Sequence, residues 1–191
     1  GYIDPSVEAC RKMTDLFNLR GDDLTIARSN SRAVNQFPHE WRMATYSFNY
    51  LPMLNESGKI DTQQAKLPAH LDMVEKIKEA DEPIALVMTG PLTDLARALD
   101  VDPDIEKNIE KLYWMGGSLD GHGNVAMVNA DGSQEWNSFW DPYAVKRVFE
   151  SNIPIQMVGL ESTEELPLND ELRQHWASLR KYPAMDLIGQ G

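Results

Sequence analysis

The chain has 191 residues, 42% of them hydrophobic, which suffices for one sizeable core and excludes a disordered protein. Thirty acidic against 18 basic side chains give a net charge of −12. That balance argues against nucleic-acid backbones and anionic membranes as partners, since both need basic patches, and is neutral towards small uncharged ligands.

"DPSVEACRKMTDLFNL" opens as a helix, with Asp4 as a capping residue, Pro5 in the first turn, and Val7, Cys10, Met13 and Phe17 at helical spacing. Asp22-Asp23 has no second carboxylate pair nearby and reads as turn chemistry. "LTIAR" (24–28) is a short strand, and residues 30–66 show aromatics without a clean period, read as loop with some helix. "LPAHLDMVEKIKEAD" is an amphipathic helix. "PIALVM" (83–88), "KLYWM" (111–115) and "IPIQMVGL" (strand near 154–159) are apolar runs without alternation, the pattern of strands buried on both faces. The helices "PLTDLARAL", "DPYAVKRVFES" and "LNDELRQHWASLRK" follow them. Strand alternating with helix implies an α/β fold, a mainly parallel, Rossmann-like open sheet flanked by helices, in one domain over residues 1–191.

Cys10 stands alone, so no internal disulfide can form; a reducing compartment, hence the cytoplasm, is expected, although a secreted chain without disulfides reads the same way. No apolar run approaches membrane-spanning length. His39, His70, His122 and His175 share no metal-ligand spacing.

In a parallel α/β sheet, ligands bind at the carboxyl ends of the strands. Three such ends are legible: "VMTGP", "WMGGS" and "MVGLEST". A long polar segment, "GSLDGHGNVAMVNADGSQEWNSFWDP", leaves the second, and a loop of that length inside a compact chain is usually functional or disordered. It should therefore lie over the ligand edge. Its G-x-G-x-x-A pattern at 121–126 neither follows a strand directly nor opens a helix, so it is not a dinucleotide fingerprint. Asn124 with Glu135 and Asn137 of "EWN" could form a polar cluster that hydrogen-bonds a polyol such as ribose; the plainer alternative is a solvated loop.

Taken singly these pieces are ordinary turns. In order, "VMTGPLTDLARAL", "WMGGSLDGHGNV", "EWNSFWDPYAVKRVFES" and "IPIQMVGLEST" resemble the nucleoside hydrolase family, the inosine–uridine-preferring type and its relatives, over about residues 67–170. The resemblance implies hydrolysis of the N-ribosidic bond of nucleosides to free base and ribose, within purine and pyrimidine salvage. It also implies a calcium ion (Ca2+) that activates the attacking water and holds the ribose hydroxyls. Matched by motif, Thr89 would offer its backbone carbonyl to calcium, Met115 would touch the sugar, and Asn124, Glu135 and Asn137 would bind its hydroxyls. Asn129 lies six residues before Glu135, the spacing of short-loop members, and rivals Asn124. Family members are commonly dimeric or tetrameric, so a homo-oligomer is expected.

The chain departs from the family at its signature. No DxDxxxDD cluster is present, nor the later aspartate with its acid histidine, so the catalytic residues are not assigned within this chain. It is expected to be the middle of a longer nucleoside hydrolase domain and inactive alone. "DVDPDIEK" (100–107) mimics the signature but follows a helix and reads as helix capping. Glu161 stands where aspartate is usual and receives no catalytic role. Two other readings stay open: a non-catalytic relative that binds ribosides or serves as an interaction module, and an unrelated α/β nucleotide-binding enzyme.

Overall fold

The computed structural model describes residues 2–19, 24–127 and 129–190; Asp22-Asp23 lies outside them. In chain order the elements are α1 (Ile3–Leu16), β1 (Ile26–Arg28), α2 (His39–Asn49), α3 (Pro52–Asn55), β2 (Gln64–Pro68), α4 (Ala69–Glu79), β3 (Ile84–Met88), α5 (Thr93–Val101), a 3-10 turn (Pro103–Asn108), β4 (Ile109–Met115), α6 (Trp136–Trp140), α7 (Pro142–Phe149), β5 (Ile155–Val158), α8 (Leu160–Glu164), α9 (Asp170–Ser178) and α10 (Pro183–Gln190). No helix among the described residues is long and apolar enough to cross a membrane. The chain divides into two compact units.

The first unit comprises Gly1–Arg28, Phe37–Leu67 and Leu168–Gly191. Polar bonds hold α1 in place. Lys12 is buried, and its ammonium donates to the side-chain oxygens of Asn49 at 3.0 Å and Asn55 at 2.8 Å and pairs with Glu8. Asp15 accepts from the backbone amides of Asp61 and Thr62 and from the Thr62 hydroxyl. Asp4 does not cap α1: the helix begins one residue earlier, and the Asp4 carboxylate pairs with Arg28 at 2.8 Å. Strand β1 is shorter than the apolar run and pairs with β2, which the sequence does not announce because "QAKLP" carries Gln64 and Lys66. Cys10 is a free thiol.

The second unit, Ser29–Gln36 with Pro68–Pro167, carries the parallel sheet in the order β3-β4-β5. Register aligns Leu86 with Leu112 and Ile155, and Met88 with Trp114 and Met157. These rows form one face, packed against Val74 and Ile77 of α4, Leu95, Ala98 and Leu99 of α5, and Ala144 and Val148 of α7. The other face, expected to be covered, is not: Val87 is 75% exposed and Tyr113 and Val158 are also exposed. Burial therefore alternates along β3 and β5, although their sequences do not. An apolar residue on the open face looks the same in sequence as one inside, so the run alone cannot separate the cases. Asp102 caps the 3-10 turn through the Asp104 amide and pairs with Lys78, so "DVDPDIEK" is helix-capping chemistry.

Candidate functional site

The carboxyl ends of β3, β4 and β5 lie side by side. Trp114, 1% exposed, sends its indole N–H to the Gly90 carbonyl at 3.0 Å and so locks the β3 turn to β4. The chain then has to pass over the indole. A Cβ on Gly116 would stand 2.1 Å from the ring, so only glycine fits. Gly116 donates to the Val158 carbonyl, and Leu160 donates to the Gly117 carbonyl, which extends the β4–β5 pairing past the strand ends.

The "EWN" segment returns to this edge. Glu135 is the N-cap of α6, where free amides favour an anionic acceptor. One carboxylate oxygen, Oε1, accepts from the Asn137 amide at 2.9 Å. The other, Oε2, accepts from Gly117 at 2.8 Å and Ser138 at 3.0 Å. The side chain is 2% exposed. Asn137, 8% exposed, points its amide nitrogen at the carbonyls that end the two neighbouring strands, Met115 at 3.0 Å and Thr89 at 3.3 Å. The same nitrogen lies 3.3 Å from the Met115 sulfur.

The long loop is clipped by its own backbone. Asn124 and Val125 donate to the Gln134 carbonyl, and Gly123 donates to Gly132. The Asn124 side-chain oxygen accepts from the Trp136 amide at 3.0 Å. Asn124 is exposed, as is Thr89. Thr89, Met115, Asn137 and Glu135 thus form one hydrogen-bonded chain, and Asn124 stands beside it, bonded to Gln134 and Trp136 on either side of Glu135. Asn129 sits exposed in a turn, and no hydrogen bond among the described residues joins it to that group.

Two features were not read from sequence. The segment after β1 lies along α5 and α6: Ser31 donates to Asp94 at 2.5 Å, Arg97 donates to Ser31 and Asn30, and Asn35 holds the carbonyls of Phe139 and Trp140. Its only signal was the run of hydroxyls and amides in "SNSR" directly after a strand. Second, Asp141 of "DP" caps α7 and also accepts from the buried Thr93 hydroxyl at 2.8 Å, pinning α5 to α7.

For a metal, the described residues hold no group of three or more His, Cys, Asp or Glu side chains suited to one. A calcium ion takes about six to eight oxygen ligands. The Thr89 carbonyl would supply one, so these residues by themselves do not make that site.

The sequence model of the inosine–uridine preferring nucleoside hydrolases matches residues 9–189. A pyrimidine-specific ribonucleoside hydrolase RihA of Shewanella woodyi is 41% identical over 99 residues, 52% of this chain and 30% of that protein. The crystal structure of an inosine–uridine preferring nucleoside hydrolase from Bacillus anthracis superposes with a TM-score of 0.92 at 47% identity, covering 98% of this chain and 62% of that one. A purine-preferring ribonucleoside hydrolase from Gardnerella vaginalis gives a TM-score of 0.70 at 24% identity, covering 98% of this chain and 57% of that one, and bears on the fold alone. The chain therefore spans less than two thirds of the length of these relatives.

Proposed function

The chain belongs to the inosine–uridine preferring nucleoside hydrolase family, and from that membership we propose that it forms the ribose-binding wall of an enzyme that hydrolyses the N-ribosidic bond of nucleosides. The observation that carries the proposal is the convergence of Asn137 on the carbonyls of Met115 and Thr89, with Glu135 bonded to its backbone amide and Asn124 bonded to the adjoining Trp136 amide. Sugar hydroxyls both donate and accept. The Asn124 amide nitrogen and the Asn137 side-chain oxygen offer one donor group and one acceptor to such hydroxyls. Glu135 has three of about four lone-pair positions filled, so its share is a single acceptor on Oε1.

Chemically, departure of the base leaves an oxocarbenium-like sugar, and hydrogen bonds to sugar hydroxyls that tighten as that charge develops lower the barrier. Acceptors held rigid by backbone bonds need no reorganisation at that moment. Calcium is proposed as the cofactor of the whole protein on the strength of the resemblance, with its carboxylate ligands supplied from outside the residues described. A homo-oligomeric assembly is part of the same proposal.

The test is incubation of the whole gene product with inosine and with uridine, measuring reducing sugar and free base together. Equal release of both, abolished by a calcium chelator and restored by added calcium, is expected. The second reading is a riboside-binding protein without turnover, since the described residues hold no group of three or more metal-ligating side chains; binding without release of base would establish it instead.

A further inference from the structure

Glu161, on the first turn of α8, reaches out of its own element to the loop that follows β4. Its Oε1 accepts from the backbone amides of Leu119 at 2.5 Å and Asp120 at 3.0 Å, and from the Ser118 hydroxyl at 3.0 Å. Asp120 carries the fold of the loop one step further, taking the His122 amide at 2.8 Å and sharing the Ser118 hydroxyl at 2.9 Å. Gly123 and Asn124 follow at once and are held from the other side by the 132–134 backbone. The Glu161 carboxylate also folds back over its own turn, where a Cβ on Gly159 would stand 2.3 Å from Oε2. That turn therefore leaves room for the longer side chain.

We propose that Glu161 is a positioning residue for the ribose site: it clamps residues 118–120 to α8 and thereby sets where Asn124 stands over the strand ends. This inference rests on the reading of Asn124 as a sugar ligand. The length of the glutamate side chain is then functional, because its second methylene carries the carboxylate out to the loop amides. The donors hold the Glu161 carboxyl below the usual carboxylate range, the Asp120 amide foremost, so the clamp stays charged through neutral pH.

A loop that is competent only part of the time weakens apparent binding by the fraction competent, while the bound complex still turns over normally. Glu161→Ala should therefore raise KM for nucleoside about tenfold with kcat within about twofold, a tenth of the loops being then in place. Glu161→Gln keeps an oxygen acceptor for the same amides and should recover most of the loss. Hydrogen exchange should show faster exchange in 118–124 of Glu161→Ala and little change in the sheet. These measurements are made on the whole gene product. An unchanged KM in an active Glu161→Ala enzyme, unaltered exchange in 118–124, or a loss confined to kcat would overturn the proposal. If the wild type releases no base from any nucleoside, the hydrolase reading fails, while exchange still decides whether the clamp exists.

Discussion

The side-chain amide of Asn137 donates to the carbonyl of Met115 at 3.0 Å, so a residue from the far end of the long loop closes the end of the central strand. The same nitrogen reaches Thr89 on the neighbouring strand. Asn137→Ala removes the shared donor from both carbonyls. It should cost about 1 kcal/mol of stability, since the two carbonyls it leaves are only partly buried. Chemical denaturation of wild type and variant measures it. A variant as stable as wild type would mean that the contact carries no weight.

Glu135→Gln tests the cap. The amide replaces an acceptor by a donor facing backbone N–H groups of Gly117, Asn137 or Ser138. The expected loss is about 1–3 kcal/mol, with α6 fraying first. Melting temperature together with hydrogen exchange of residues 136–140 reads this out.

Gly116→Ala should be costly although it adds one carbon. That carbon would fall 2.1 Å from the Trp114 ring, which is itself fixed by the Gly90 carbonyl. About 1–3 kcal/mol of destabilisation is expected from overpacking, with a changed near-ultraviolet circular dichroism signal from Trp114.

Much of this was legible in sequence, and the exceptions have physical causes. The three parallel strands stand out because their apolar runs are short and bounded by turn residues. Their open face was not legible, because Ala85 and Val87 are apolar whether covered or not. Strand β2 hides behind Gln64 and Lys66, and α2 behind Trp41, Met43, Tyr46 and Phe48, which are at least partly exposed and break any single-face period. At the site, residue types suggested Asn124, Glu135 and Asn137 together. The burial of Glu135 could not be read, because its partner Gly117 lies eighteen residues earlier and meets it only in the fold. The role of Glu161 is hidden in sequence for the same reason, its loop partners being more than forty residues away.

Acid should release the loop late. Backbone and ring donors of His122, with the Ser118 hydroxyl, hold Asp120 down to about 2, against an ordinary value of 3.8. A carboxyl depressed in the folded state stabilises it fully above the unfolded value, and the contribution fades as pH falls through the folded one. The difference in melting temperature between wild type and Asp120→Asn should therefore shrink as pH falls from about 4 towards 2. A difference that widens in acid would contradict this.

A polypeptide of residues 1–191 alone should show no enzymic rate on nucleosides. Calcium takes about six to eight oxygens, and on the proposed reading these residues would offer one, the Thr89 carbonyl. Calcium-dependent turnover by that polypeptide in a reducing-sugar assay would show that the catalytic ligands lie within it.

Whether Asn124 and Asn137 face the sugar of a riboside is read by side-chain amide NMR of the 15N-labelled whole gene product during titration with ribose. The Asn124 and Asn137 amide pairs should shift saturably with ribose and not at all with free hypoxanthine or uracil. Shifts confined to other amides, or produced by the free bases alone, would contradict it.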